Sequence, residues 1–274
     1  MNASAAAAQR ATATPPLLRQ DLGRIAVLTL DRPQTRNSLS EAMLDALAEA
    51  LAEIGRSKKI RAVVIAANGL AFSAGHDLKE VTAHRQDPDG GRAYTAALMD
   101  RCSAVMQTIM RLPQPVIAAV EGIATAAGAQ LVATCDLAVA STTAKFSTPG
   151  VHIGLFCSTP MVALSRNVAR KHAMEMLLTG DMISAEDAHR IGLVNHVVPA
   201  GTARDAALAL ARKIAAKSAA AVKFGKQAFY RQLELGVGDA YRYASDVMVE
   251  NMMVRDAEEG IGAFIEKREP NWEG

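Results

Sequence analysis

The stretch that decides the fold is PVIAAVEGIATAAGAQLVATCD, residues 115–136. Residues 115–120 form an apolar, β-favouring run that the Glu121-Gly122 pair breaks, and small residues then lead into a short helix from about Ala126 to Thr134. A strand apolar on both faces and followed at once by a helix is the building unit of a parallel, two-sided sheet. Working outward, the alternation recurs. Residues 24–30 are a second apolar run, stopped by Asp31-Arg32-Pro33. Ser38 and Glu41 stand at capping-box spacing ahead of Leu44, Leu47, Leu51 and Ile54, whose helical period Gly55 ends. Residues 61–67 (RAVVIAA) predict a buried strand turned by Asn68-Gly69, and residues 92–112 a long helix closed by Pro113 and Pro115. Residues 137–140 and 193–198 predict further strands. The class is therefore α/β with a largely parallel sheet. No internal repeat is legible.

Composition narrows the function. The chain has 274 residues, of which 50% are hydrophobic and 21% charged, with a formal net charge of +2. This excludes a disordered, collagen-like or disulfide-stapled protein. No run reaches the roughly 18 to 20 apolar residues of a membrane span, so no membrane partner is expected. A charge so near neutral excludes a general nucleic-acid binder. Cys102, Cys135 and Cys157 are widely spaced, which predicts reduced thiols in a cytoplasmic setting. Residues 1–16 are Ala/Ser/Thr/Pro-rich with Arg10 as their one base, and read as a frayed tail, with an organellar presequence as the alternative. Residues 17–200 form the α/β core. Residues 201–274 show no strand and read as three or four helices. Between Asp205 and Glu234 this last region holds no acid, while Arg212, Lys213, Lys217, Lys223, Lys226 and Arg231 are basic. They are either solvated helix faces or the lining for a polyanionic ligand.

Dinucleotide and P-loop fingerprints are absent, and His76, His84, His152, His172, His189 and His196 show no metal-binding spacing, so no metal is expected. Residues 71–75 (AFSAG) vary the GxSxG nucleophile elbow, which would make Ser73 the nucleophile of a serine hydrolase. The same residues support another reading. Ser73-Ala74-Gly75-His76-Asp77 makes a glycine-permitted turn after a strand and leaves main-chain N–H groups unpaired. The small-residue helix start at residues 122–130 presents further N–H donors at the positive end of a helix dipole. One donor from each segment could clamp a carbonyl oxygen and stabilise an enolate or oxyanion.

These segments, with LDRPQTRNSLS (residues 30–40), AFSAGHDLK (71–79), FSTP (146–149) and FIEKR (264–268), resemble the crotonase, or enoyl-CoA hydratase/isomerase, superfamily from about Leu18 to Trp272. The pattern TPGVHIGLFCSTP (residues 148–160) is similar to the enoyl-CoA hydratase domain-containing protein 3 subgroup, for which the resemblance supplies no settled reaction. The resemblance implies a spiral of ββα units and a helical C-terminal region that assembles homotrimers, often dimers of trimers. It implies an acyl-CoA thioester as ligand, with no tightly bound cofactor, in a setting of fatty-acyl metabolism. The thioester carbonyl would sit between the N–H groups of His76 and Ala127. Ala74, His76, Asp77, Leu78 and Lys79 would line the CoA path, and Phe264 and Lys267 would reach CoA, in part on a neighbouring subunit.

Departures from the family pattern are equally informative. Hydratases of this family activate water with two glutamates. Here those positions are Gln130 and Gly150. An amide takes no proton at neutral pH and glycine has no side chain. Ser158, which falls where dienoyl-CoA isomerases carry an aspartate, is polar but a poor base. Cys157 is a candidate nucleophile or an inert thiol. Glu80 and Glu121, the carboxylates nearest the cavity segments in sequence, are expected to have surface or capping roles. Two classes of function follow: an enzyme using the two amides with Gln130, Ser158 or a water, or a non-catalytic acyl-CoA binder.

Overall fold

The structure, a computed structural model, describes residues 15–273. The expected tail at residues 1–16 lies almost wholly outside them.

The apolar run at Ile25–Leu30 (β2) is buried at all six positions because both faces of the sheet are covered. It pairs antiparallel with β1 (Leu17–Leu22) and parallel with β3 (Ala62–Ala67). From β3 the chain makes β4 (Ala71–Ser73), β5 (Val116–Val120), β6 (Ile123–Thr125), β7 (Leu137–Ser141), β8 (Lys145–Ser147), β9 (Ile183–Ser184) and β10 (His196–Val198). Six strands form the main sheet in the order β1-β2-β3-β5-β7-β10, parallel apart from β1. The others form a smaller sheet in the order β4-β6-β8-β9.

Helices fill the gaps between strands. They are α1 (Glu41–Arg56), α2 (Leu78–Ala83), α3 (Arg92–Arg111), α4 (Ala127–Thr134), α5 (Ser158–Asn167), α6 (Arg170–Thr179) and α7 (Ala185–Arg190). Three times the chain runs through the main sheet, then the small sheet, then helix: β3-β4-α2, β5-β6-α4 and β7-β8-α5. This is the expected spiral of ββα units. It leaves no sequence repeat because burial recurs from turn to turn while residue identity and loop length do not. Leu44, Leu47 and Leu51 of α1 and Leu98, Val105 and Ile109 of α3 belong to the larger core with one set of strand side chains. The other set packs on α8 (Ala203–Ala215) through Ala203, Ala207, Leu208 and Ala211.

Three local expectations need correction. Helix α1 is capped by Ser40, whose Oγ accepts from Met43 N at 3.3 Å, not by Ser38. Arg36 and Asn37 both take left-handed φ values (53° and 51°), which delays the helix and sends the Ser38 hydroxyl to Asp77 Oδ2 at 3.2 Å. Gly55 does not end α1; the helix continues to Arg56 with Ser57 at its C-cap. The last strand is shorter than expected, because Leu193 N and Val194 N both turn back to the Ala188 carbonyl.

Beyond α8 the chain continues as α9 (Ala219–Gln232), α10 (Val237–Met252) and α11 (Arg255–Glu266). Of the six bases between Asp205 and Glu234, one is no solvated face. Lys226 is buried, and its ammonium donates to Ile109 O (2.8 Å), Gln114 O (3.0 Å) and Asp136 Oδ2 (2.7 Å). Tyr230 OH donates to the other Asp136 oxygen at 2.9 Å, and Val116 N donates to Asp136 Oδ2 at 2.7 Å. A buried ammonium with all three protons used and a carboxylate filled on both oxygens can be accommodated in an apolar interior. The network fastens α9 to the start of β5.

Candidate active site

The site is built where β4 and β6 leave the small sheet side by side. Asn37 holds the loop before α1 against β4: its Nδ2 donates to Asn68 O and Ala71 O, each at 2.8 Å, and its Oδ1 accepts from Arg32 N at 2.7 Å. Ala74 N donates to Arg36 O and Leu39 N to Gly75 O, so residues 74–76 are pinned by main-chain bonds from one side. Asp77 caps α2 by accepting from Lys79 N at 2.9 Å. Thr125 Oγ1 donates to Ala74 O at 3.2 Å and closes the turn from the other side.

Glycine is required at two points in this contact. Gly75 has φ +89°, and a Cβ there would lie 2.9 Å from Ala126 Cβ and 3.1 Å from Ala127 N. A Cβ at Gly128 would stand 2.2 Å from the Ser73 carbonyl oxygen. Absent side chains therefore set how closely the two segments approach. Between them Ala126 holds φ 50°, ψ −121°, a conformation that costs a non-glycine residue about 1–3 kcal/mol. Ala127 opens α4 with no side-chain cap, and neither its N–H nor that of His76 has a hydrogen-bond acceptor among the described residues.

The His76 ring is fixed by its Nδ1, which lies 3.3 Å from Leu39 O and must donate to it. In the neutral ring Nε2 is then an acceptor, and it is buried without a partner. Burial holds the imidazole below its ordinary pKa of 6.5, the Leu39 carbonyl offsetting only part of the effect. One helical turn beyond Ala127, Gln130 is 5% exposed and its Oε1 has no hydrogen-bond partner. Such an unpaired buried acceptor is costly in a finished interior.

At Gly150 a Cβ would meet Cys157 Sγ and Leu155 O at 3.0 Å each. The Cys157 thiol and the main chain of residues 155–157 together crowd the corner beside Gly150. Burial holds that thiol above the usual cysteine range, with a main-chain hydrogen bond from Gly150 acting the other way, a setting that does not favour the thiolate. Ser158, the first residue of α5, is exposed and donates to Phe156 O at 3.3 Å. Helix α5 packs on α4, with Asn167 Nδ2 donating to Ala133 O at 2.8 Å.

Ser73 is fully buried and its Oγ accepts from Gly75 N at 3.2 Å. No histidine bonds to it among the described residues, which removes the hydrolase reading. Glu121 has the capping role expected of it, accepting from Gly201 N (2.9 Å) and Ala203 N (2.6 Å) at the start of α8. Glu80 accepts from Glu41 N at 3.1 Å, and burial raises its pKa. Leu78 and Lys79 are exposed on α2. Phe264, 84% exposed, and Lys267 belong to the last helical turn and C-cap of α11, whose main contacts are with α9 and α10. No group of three metal-ligating side chains occurs among the described residues. Asn37 lies in a quoted motif and Thr125 in the deciding stretch, but sequence did not reveal their scaffold role, since apart from Arg32 their partners are main-chain atoms 31 or more residues away.

A spiral of ββα units with two small-residue segments meeting at a bare helix start defines a class, and the comparisons agree. The sequence profile of the enoyl-CoA hydratase/isomerase family matches residues 21–274, and the chain belongs to that family. Within it, the human mitochondrial enoyl-CoA hydratase domain-containing protein 3 is 46% identical over 268 residues, covering 98% of this chain and 87% of that protein. The crystal structure of the human domain-containing protein 3 superposes with a TM-score of 0.89 at 47% identity, covering 94% of this chain and 100% of that one. An enoyl-CoA hydratase structure from Mycobacterium smegmatis gives a TM-score of 0.91 at 53% identity, covering 95% of this chain and 100% of that one. The domain-containing protein 3 subgroup is thus the one to which the chain is assigned. The human relative's name places that protein in mitochondria and lends no support to the cytoplasmic setting expected from the cysteines.

Proposed function

We propose that the protein binds a fatty acyl-CoA thioester, with the thioester carbonyl held between the N–H groups of His76 and Ala127, and acts on it without the hydratase pair of carboxylates. The observation that supports this reading is the approach of Gly75 to Ala126 and Ala127, beside two main-chain N–H groups that have no acceptor among the described residues. Hydrogen bonds to that oxygen strengthen as negative charge develops on it, so the arrangement favours an enolate at the neighbouring carbon. Gln130 would hold a water or a polar acyl group by hydrogen bonds alone. Ser158 is a further polar group at the start of α5. With Gln130 and Gly150 in the glutamate positions, hydration of an ordinary enoyl-CoA is slow or undetectable, since each lost acid–base group costs about 10²- to 10⁴-fold.

Ala74, Asp77, Leu78 and Lys79 would line the CoA path. The exposed apolar side chains of Phe229, Leu233, Val237, Tyr241, Met253 and Phe264 on the C-terminal helices would be covered by trimerisation, which would also bring Phe264 and Lys267 toward a neighbour's CoA. Gln130 and Gly150 favour a second reading, a non-catalytic acyl-CoA binder. Melting temperature measured with CoA, crotonyl-CoA and a chain-length series tests the shared claim. It should rise with thioesters and not with NAD; no rise with any thioester contradicts both readings. Proton exchange at the α-carbon of a bound acyl-CoA in heavy water separates them, being expected of the enzyme alone.

A further inference from the structure

At the opposite end of the main sheet from His76 and Ala127, the end of α1, the loop into β3, and the α8–α9 junction enclose a groove of about 480 Å³. Five cationic side chains line it: Arg56, Lys58, Arg61, Lys217 and Lys223. No ion pair is made by any of the five among the described residues. The one carboxylate in the lining, Glu273, is taken by Arg255 at 2.9 Å. Asp256, the acid whose field reaches Arg61, is already engaged by the Ser218 hydroxyl and by Glu273 N. The first residues of the 14-residue helix α9, Ala219 and Ala220, also face the groove, adding the positive end of a helix dipole.

Two buried polar atoms in this lining have no hydrogen-bond partner: Arg61 Nε and Gln114 Oε1. Gln114 is 5% exposed, and its Nε2 is committed to the carbonyls of Ile54, Ser57 and Ile60, which fixes Oε1 as the free acceptor. Five cations that make no ion pair among the described residues repel each other around one concavity, with Asp256 the acid that acts on Arg61, and the buried Arg61 Nε has no acceptor there. A multiply charged anion in the groove would offset the repulsion among the cations that line it. We propose that this groove is a second ligand site, separate from the thioester site, for a small soluble anion of the phosphate or pyrophosphate class.

Titration calorimetry with inorganic pyrophosphate on the whole protein tests this. One saturable site per chain is expected, weakening as salt rises. In the Lys217→Ala/Lys223→Ala variant, whose two side chains are exposed and make no fold contacts by hydrogen bond, affinity should fall at least about tenfold while crotonyl-CoA still raises the melting temperature as in the unaltered protein. Arg61→Gln should weaken pyrophosphate similarly. The proposal is overturned if pyrophosphate does not bind, if the double variant binds it unchanged, or if CoA displaces it one for one. It is equally overturned if the protein sediments with phosphatidylserine vesicles through these lysines and ignores the free anion.

Discussion

The sulfur of Cys157 occupies the space beside Gly150, 3.0 Å from where a Cβ on that glycine would stand. Position 150, which we propose as the place of the family's second glutamate, is thus crowded by this thiol. Restoring Gln130→Glu and Gly150→Glu together should raise crotonyl-CoA hydration above that of the unaltered protein, but only modestly while Cys157 blocks the corner. Adding Cys157→Gly should raise it further, by about 10²-fold or more overall. Steady-state assays on the three proteins decide this, and unaltered protein hydrating at ordinary family rates would show the catalytic positions to be misassigned.

Backbone geometry at the meeting of the two segments gives a paired prediction. Gly128→Ala places a methyl 2.2 Å from the Ser73 carbonyl and should unfold the site or cost more than about 2 kcal/mol. Ala126→Gly relieves a positive φ and should stabilise by about 1 kcal/mol, or about 2–4 °C in Tm, without weakening acyl-CoA binding. Calorimetric melting of both variants reads the two signs.

His76 titrates below 6.5 in the folded protein because burial disfavours its charged form. Between the folded value and 6.5 the unfolded chain binds the extra proton, so stability rises with pH across that window and is lost as pH falls through it. His76→Gln should flatten the slope of stability against pH just below 6.5. An unchanged slope means that the ring is not buried as described.

Lys226→Met leaves the half of the network formed by Asp136 and Tyr230 without its cation. Urea unfolding should show a loss of about 3–5 kcal/mol, with α9 the first element to exchange its amide hydrogens.

Much of this was legible in the chain. The period of Leu44, Leu47, Leu51 and Ile54 gave α1, and residues 115–120 and 61–67 gave central strands, because apolar period and length are local signals. The small sheet escaped notice since β4, β6 and β8 are three residues each and β9 two. Strands that short hold no period; they exist only through pairing across 20 or more residues. Resemblance alone nominated His76, Ala127, Gln130 and Gly150 for the proposed site. It did not reveal that the Cys157 thiol stands beside Gly150 or that Lys226 is a buried clamp. Both depend on which atoms lie beside one another after folding, and neither residue type announces that in advance.

The central claim is that two main-chain amides grip the thioester oxygen in a pocket without a water-activating carboxylate. A crystal structure with acetoacetyl-CoA bound tests it most directly. The account predicts the thioester oxygen within about 3 Å of both His76 N and Ala127 N, with Gln130 and no Asp or Glu side chain beside the acyl carbons. A thioester oxygen bound away from either amide, or a carboxylate against the α- or β-carbon, would contradict it.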